Sequence, residues 1–371
     1  MMSWHNNTIN SLMIRITMWA DKHYLLVAAS VAFLVTLGFL HLLAPVAQHL
    51  NLVDKPGGRK QHEGSIPLIG GMAMFLGFAF AALTLPISLA NYRSYLAATA
   101  LLVIIGVLDD FHELRPRYRL YTQIIAGLLM AIWGGNLLYD LGDLVFLGNI
   151  HLGWFAVPFT VVAVVGTINA VNMTDGVDGL ASGLCVIQFA MMAILAMIAQ
   201  LLQPAHILWV IIAGSLGFVA LNFPLPGRKQ ASVFMGDSGS MFLGFTVTWF
   251  LVELSQQPQQ AFAPVTILWI LAVPIFDITT VTIKRIRNKQ SPFKASRDHI
   301  HHILLAMGCS RRLTTWLILF MAIILAASGA LGYLFQIADG IMFLSLIIVY
   351  LIYLMFYNHQ WKKLKPCQFI E

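Results

Sequence analysis

Two adjacent aspartates, Asp109 and Asp110, close the apolar run "IIGVLDD" (104–110), and the basic stretch "RPRYR" (115–119) follows. Neighbouring helical residues project about 100° apart, so the two carboxylates must address different partners. Negative charge at a helix C-terminus opposes the dipole, and carboxylates near hydrocarbon mark function. The plain alternative is a solvated helix end balanced by Arg115 and Arg117. A second acidic stretch is "TINAVNMTDGVDGLASG" (167–183). Asp175 and Asp178 are three apart and share a face if a helix has begun there. Gly176, Gly179 and Gly183 permit close approach of backbone or ligand. Capping accounts for one Asp, but not for two Asp plus Asn169 and Asn172. The ligand spacing of a calcium hand is absent. In "VFMGDSGSMFLG" (233–244) Asp237 stands beside glycines, where a lone Asp–Ser is commonly a cap.

Two basic stretches complement these acids. In "VDKPGGRKQHEGSIPLIGG" (53–71), Pro56, Gly57 and Gly58 break the chain before Arg59 and Lys60. Such a loop can hold phosphate oxygens, although by itself it reads more readily as an ordinary juxtamembrane loop. In "SPFKASRDHIHHILLAMGCSRR" (291–312), His299 and His302 share a helical face while His301 points elsewhere. Three histidines in four positions, inside a Lys/Arg loop, suit a phosphate or a metal. Mg²⁺ is commonly held by one or two carboxylates plus substrate phosphates. Asp from three separate loops, meeting His, Arg and Lys, points to metal-assisted phosphoryl transfer. That reading expects Asp110, Asp178 and Asp237 within reach of one divalent ion.

The elements that must position these residues are membrane helices. Only 10% of the 371 residues are charged and 59% are hydrophobic, against roughly 25% charged in a soluble domain. Apolar stretches fall at about 24–43, 67–88, 94–108, 118–135, 153–171, 179–202, 206–222, 239–254, 263–283, 313–335 and 338–358. Each approaches the roughly 20 residues that cross a bilayer, which predicts an all-α polytopic protein of eleven spans. With 44–66 placed inside, nineteen of the 22 Lys and Arg fall on the inner side; Arg15, Lys22 and Arg93 do not. The positive-inside bias then puts the N-terminus outside and the C-terminus in the cytosol. Residues 1–23 read as an outer tail without a cleavable signal, and 24–371 as a single transmembrane domain. Cys185, Cys309 and Cys367 show neither pairing nor metal spacing.

Together "DKPGGRKQH…PLIGG", "VLDD", "NAVNMTDGVDGL", "VFMGDSGS" and "SPFKASRDHIHH" resemble the polyprenyl-phosphate N-acetylhexosamine-1-phosphate transferases. The likeness runs from about residue 24 to the C-terminal helix. His-Ile-His-His, rather than three consecutive histidines, resembles the GlcNAc-1-phosphate branch and not the UDP-MurNAc-pentapeptide branch. The resemblance implies transfer of GlcNAc-1-phosphate from UDP-GlcNAc to undecaprenyl phosphate, releasing UMP, with Mg²⁺ or Mn²⁺. It implies a multi-pass protein of the bacterial inner membrane, with a cytosolic site, that starts a cell-surface polysaccharide, and it allows a homodimer. Residue by residue it implies Asp237 and Asn172 at the metal, and Asp175, Asp178 and Phe234 at the nucleotide. It places Asp109, Asp110, His301 and His302 in catalysis. Arg59, Lys60, His62, Arg285 and His299 join the substrate-binding set. The alternatives are another UDP-N-acetylhexosamine, a nucleotide-sugar or metal transporter, and a rhomboid-type protease suggested by "GDSG" (236–239). Asp277, in "VPIFDITT", reads as a buried, paired acid without an assigned role.

Overall fold

A computed structural model describes residues 2–55, 64–223, 230–256, 258, 260–291 and 298–364, with side chains from residue 23 onward. The chain opens on α1 (Met2–His49), then a short hairpin of β1 (Val53–Asp54) and β2 (Ile66–Pro67). Next come α2 (Gly70–Ala82), α3 (Arg93–His112), α4 (Pro116–Leu128), α5 (Ala156–Thr174), α6 (Leu180–Ile198) and α7 (Leu202–Asn222). They are followed by α8 (Gly236–Ser255), α9 (Pro264–Ile270), α10 (Ala272–Arg287), α11 (Ile300–Ala306), α12 (Arg311–Leu334) and α13 (Asp339–Leu364).

All eleven apolar stretches are helical, but eleven full spans are more than the structure supports. Among the described residues seven helices are long and apolar enough to cross a membrane. The pair α9 and α10, bent by 75°, adds an eighth if it is one span. α2 has only 13 residues. α4 has 13 and runs into a π-helical turn, Leu129–Trp133. α8 is long enough but is not apolar enough to be among the seven, and it is wrapped by protein. Seventeen of its 20 residues are buried, against α2, α3, α5 and α6. A helix shielded from lipid on all sides can carry Ser, Thr and acids that a lipid-facing one cannot.

α8 therefore organises the bundle. Near one end the half-buried Glu253 carboxylate accepts hydrogen bonds from the Tyr92 hydroxyl (2.6 Å) and the Trp249 indole (2.9 Å). At the other end lies Asp237. α3 reaches that end because Gly106 packs on Ser238, where any Cβ would strike backbone. This contact brings the "VLDD" terminus of α3 onto the first turn of α8.

Candidate active site

Backbone hydrogen bonds join the sequence motifs before any side chain does. Gly70 and Gly71 N–H donate to the carbonyls of Phe234 and Met235, and Phe234 N–H to that of Pro67. The loop before α2 is thus stitched to the loop before α8. Asn222, at the end of α7, accepts from Gly179 N–H (2.8 Å) and donates to Val233 O (2.9 Å). That residue ties the "DGVDG" turn to the same loop.

The two aspartates of α3 do address different partners. Asp110 accepts from the backbone N–H of Asp237 (2.8 Å) and Ser238 (3.3 Å). No side chain of the local chain caps α8, so Asp110 supplies the cap from another helix. Its charge opposes the dipole of α3 but favours that of α8. Gly236, at φ +73°, sits directly under this carboxylate, and a Cβ there would contact its Oδ2 at 2.5 Å. Asp109 accepts from Leu114 N–H (2.6 Å) and pairs with Arg119 Nη1 (3.0 Å).

Arg119 is the residue that the sequence reading did not single out. Its Nη1 also lies 3.0 Å from Asp237 Oδ2, so one guanidinium bridges two carboxylates from α3 and α8. The second oxygen of Asp237 accepts from Asn172 Nδ2 (2.6 Å), which also donates to Ser240 Oγ (2.9 Å). Asp109, Asp110, Arg119, Asn172 and Asp237 form one continuous network.

Asp175 and Asp178 lie in a turn, not on a shared helical face: α5 ends at Thr174, Gly179 has φ +74°, and α6 begins at Leu180. Burial in the surrounding protein, then the charges of Asp178 and Asp237, push the Asp175 carboxyl up to about 7, although part of the residue keeps contact with solvent. Asp178 turns away and accepts from Ala231 N–H (3.0 Å). His299 precedes α11 as its N-cap, so it shares no helical face with His302. Its ring is buried and bonded to Asp277 instead (2.7 Å). His301 is buried with its Nε2 over Gly176, whose missing side chain leaves room for the ring. Burial, reinforced by His302 and His299, holds its pKa well below the usual histidine range, so it is neutral at pH 7.

Phe234 is half-buried, and its backbone bridges to Leu68 beside the acid network. Arg285 is buried on α10 with its charge near Tyr357. Arg59, Lys60 and His62 lie outside the described residues. Ser238 is buried against Gly106 and Asp110, and no histidine among the described residues is bonded to it, which leaves the protease reading without a dyad there.

The expected gathering of Asp110, Asp178 and Asp237 around one ion is not the arrangement found. Asp110 is engaged by amides of α8 and Asp178 by Ala231, and no three His, Cys, Asp or Glu among the described residues form a metal cage. A cation held partly by substrate phosphates needs fewer protein ligands. Asp237 with Asn172 offers such a set: one carboxylate and one amide, with the amide orientation interchangeable by a flip. Arg119 already holds positive charge between Asp109 and Asp237, which marks the place as one that favours a cation.

A helical multi-pass bundle with carboxylates, arginine and histidine gathered at helix ends defines a membrane phosphoryl-transfer class, and comparison with known proteins agrees. Residues 92–255 match the family described as Glycosyl transferase family 4. The chain is 37% identical to the undecaprenyl-phosphate alpha-N-acetylglucosaminyl 1-phosphate transferase of Yersinia pestis, covering 86% of this chain and 88% of the relative. It is 36% identical to the protein of that name from Haemophilus influenzae, over 90% and 94% of the two chains. It is 35% identical to that of Escherichia coli K12, over 89% and 90%. The chain belongs to this family of membrane-bound sugar-1-phosphate transferases.

Proposed function

We propose that the chain transfers GlcNAc-1-phosphate from UDP-GlcNAc to undecaprenyl phosphate at the cytosolic face of a bacterial inner membrane. The products are undecaprenyl-pyrophosphoryl-GlcNAc, a first lipid-linked intermediate for a surface polysaccharide, and UMP. One observation carries this reading: Asp237 is fixed at the start of α8 by Arg119 and Asn172, and its amide by Asp110. That junction sits beside the Asp175 turn and His301. Family membership of near full length supports it.

The reaction is a single in-line displacement. An oxygen of the lipid phosphate attacks the β-phosphorus of UDP-GlcNAc, and the bond to the UMP oxygen breaks with its electron pair leaving on UMP. Arg119 offers a guanidinium to the charge that spreads over the transferring phosphoryl oxygens. Neutral His301 lies over the Asp175–Gly176 turn, where an N–H can donate to the pyrophosphate. Phe234 provides the face for uracil, and Arg59 and Lys60 offset charge on the leaving nucleotide. A Mg²⁺ or Mn²⁺ held by Asp237 and Asn172 would neutralise the pyrophosphate.

Asp109 is not a free base in this scheme. Both its oxygens are engaged, and a phosphate monoester with a second pKa near 6 is already mostly dianionic at neutral pH. Asp109→Asn is expected to lose activity by about 10- to 100-fold, with a rate profile parallel to the parent across the pH range. Activity that returned at high pH would restore a base role.

The overall assignment is tested with purified protein, undecaprenyl phosphate, Mg²⁺ and a panel of UDP-sugars, reading UMP release and the lipid product. UDP-GlcNAc turnover that chelation abolishes and Mg²⁺ or Mn²⁺ restores is the expected result. Turnover of a different UDP-N-acetylhexosamine alone would reassign the donor, and none at all would sink the proposal.

A further inference from the structure

The segment that carries His301 is held in place by a residue outside the acid network. Asp277, on α10, is 2% exposed. Three donors converge on its carboxylate: His299 Nδ1 at 2.7 Å, the backbone N–H of Ile300 at 2.8 Å and the Tyr353 hydroxyl at 3.4 Å. Ile300 is the first residue of α11, and the N-cap residue His299 gives that helix no side-chain cap of its own. Asp277 therefore fastens the start of α11 from a different helix.

His301 follows one residue later. Its ring lies parallel to that of His299, tilted by 4° with centroids 5.8 Å apart. Neither of its ring nitrogens has a hydrogen-bond partner among the described residues, although the ring is buried. Such an imidazole is held by what surrounds it and not by bonds of its own. A second fastening supports the same segment: Tyr357 donates to the Asp298 carbonyl (2.6 Å) and Lys284 pairs with its carboxylate (3.2 Å).

We infer that Asp277 is a positioning residue for the transfer reaction, gripping His299 and the Ile300 amide so that His301 stays over the Asp175–Gly176 turn. This inference rests on the reading of His301 as a pyrophosphate contact. Asp277→Asn keeps an oxygen for Ile300 N–H but turns an N–H donor toward His299 Nδ1. The bond then survives only if the His299 ring changes tautomer.

The test compares Asp277→Asn, His301→Ala and the double variant by kcat, by KM for UDP-GlcNAc and undecaprenyl phosphate, and by UMP affinity. A displacement of about 1 Å can cost on the order of 100-fold in rate. Asp277→Asn is expected to lose roughly 30-fold or more in kcat on that basis, with KM values and UMP affinity near those of the parent. Because both changes act through one ring, the double variant should be no slower than His301→Ala. Full activity in Asp277→Asn, or losses that multiply in the double variant, would overturn the inference while leaving His301 in its role. An active His301→Ala would instead remove the reading on which it rests. If Asp277→Asn does not fold, His299→Asn against His299→Ala decides the matter. Asparagine retains a donor near the Nδ1 position, so it should keep about tenfold more kcat than alanine; equal losses would reject the clamp.

Discussion

Asp237→Asn is expected to lower kcat by about a thousandfold, roughly 4 kcal/mol of transition-state stabilisation, and to abolish the response to added Mg²⁺. The exchange is nearly isosteric and leaves the backbone N–H that Asp110 caps, so α8 keeps its first turn. What changes is the charge. The carboxylate accepts from Arg119 and Asn172 on its two oxygens, and an amide can satisfy only part of that demand. Arg119 then keeps Asp109 as a partner but loses its anchor on α8. Initial rates of UMP release, measured against Mg²⁺ concentration, check both parts. A variant within tenfold of the parent would mean that Asp237 anchors Arg119 and Asn172 and is not a ligand.

Removing Arg119 is expected to cost nearly as much. Arg119→Ala should reduce kcat by about 100- to 1,000-fold, because a cationic donor to the transferring group is lost. It also leaves Asp109 and Asp237 facing each other without the cation between them. Arg119→Lys keeps a charge but not the reach and planar geometry of the guanidinium whose Nη1 meets both carboxylates, so it should recover only part of the loss. The Mg²⁺ titration separates this from a structural defect. On the proposed reading the guanidinium competes with the metal for Asp237, so half-maximal activation of the residual rate should fall to lower Mg²⁺ in Arg119→Ala. An unchanged midpoint would show that the two cations do not share the site.

The acids of this network were legible in the sequence because carboxylates at the edge of an apolar segment demand a reason. The dipeptide geometry also foretold that Asp109 and Asp110 would part company. Arg119 was not legible, since Arg115 and Arg117 already read as balancing charge and Arg119 counted only toward the positive-inside bias. A signal was available in the helical phase. Arg119 lies three and four residues before Thr122 and Gln123, which are buried on α4, so it belongs to the inward face. The trans cap from Asp110 could not be read, because nothing in "VFMGDSGS" says that its helix lacks a local cap. Hydropathy found the polytopic helical fold but not how its stretches differ: among the described residues seven or eight helices are long and apolar enough to cross, while α2 and α4 are short and α8 is packed by protein. His299 looked like a ligand by its spacing to His302; its partner, Asp277, lies 22 residues earlier.

Capping between helices has a consequence for biogenesis. Asp110 and Asp277 each close the start of a helix made later in synthesis, α8 and α11. Neither junction can form before its later helix has been made, so each acid waits on a segment that follows it in the chain. The grouping of acids and histidine described above is therefore complete only once both later helices have docked.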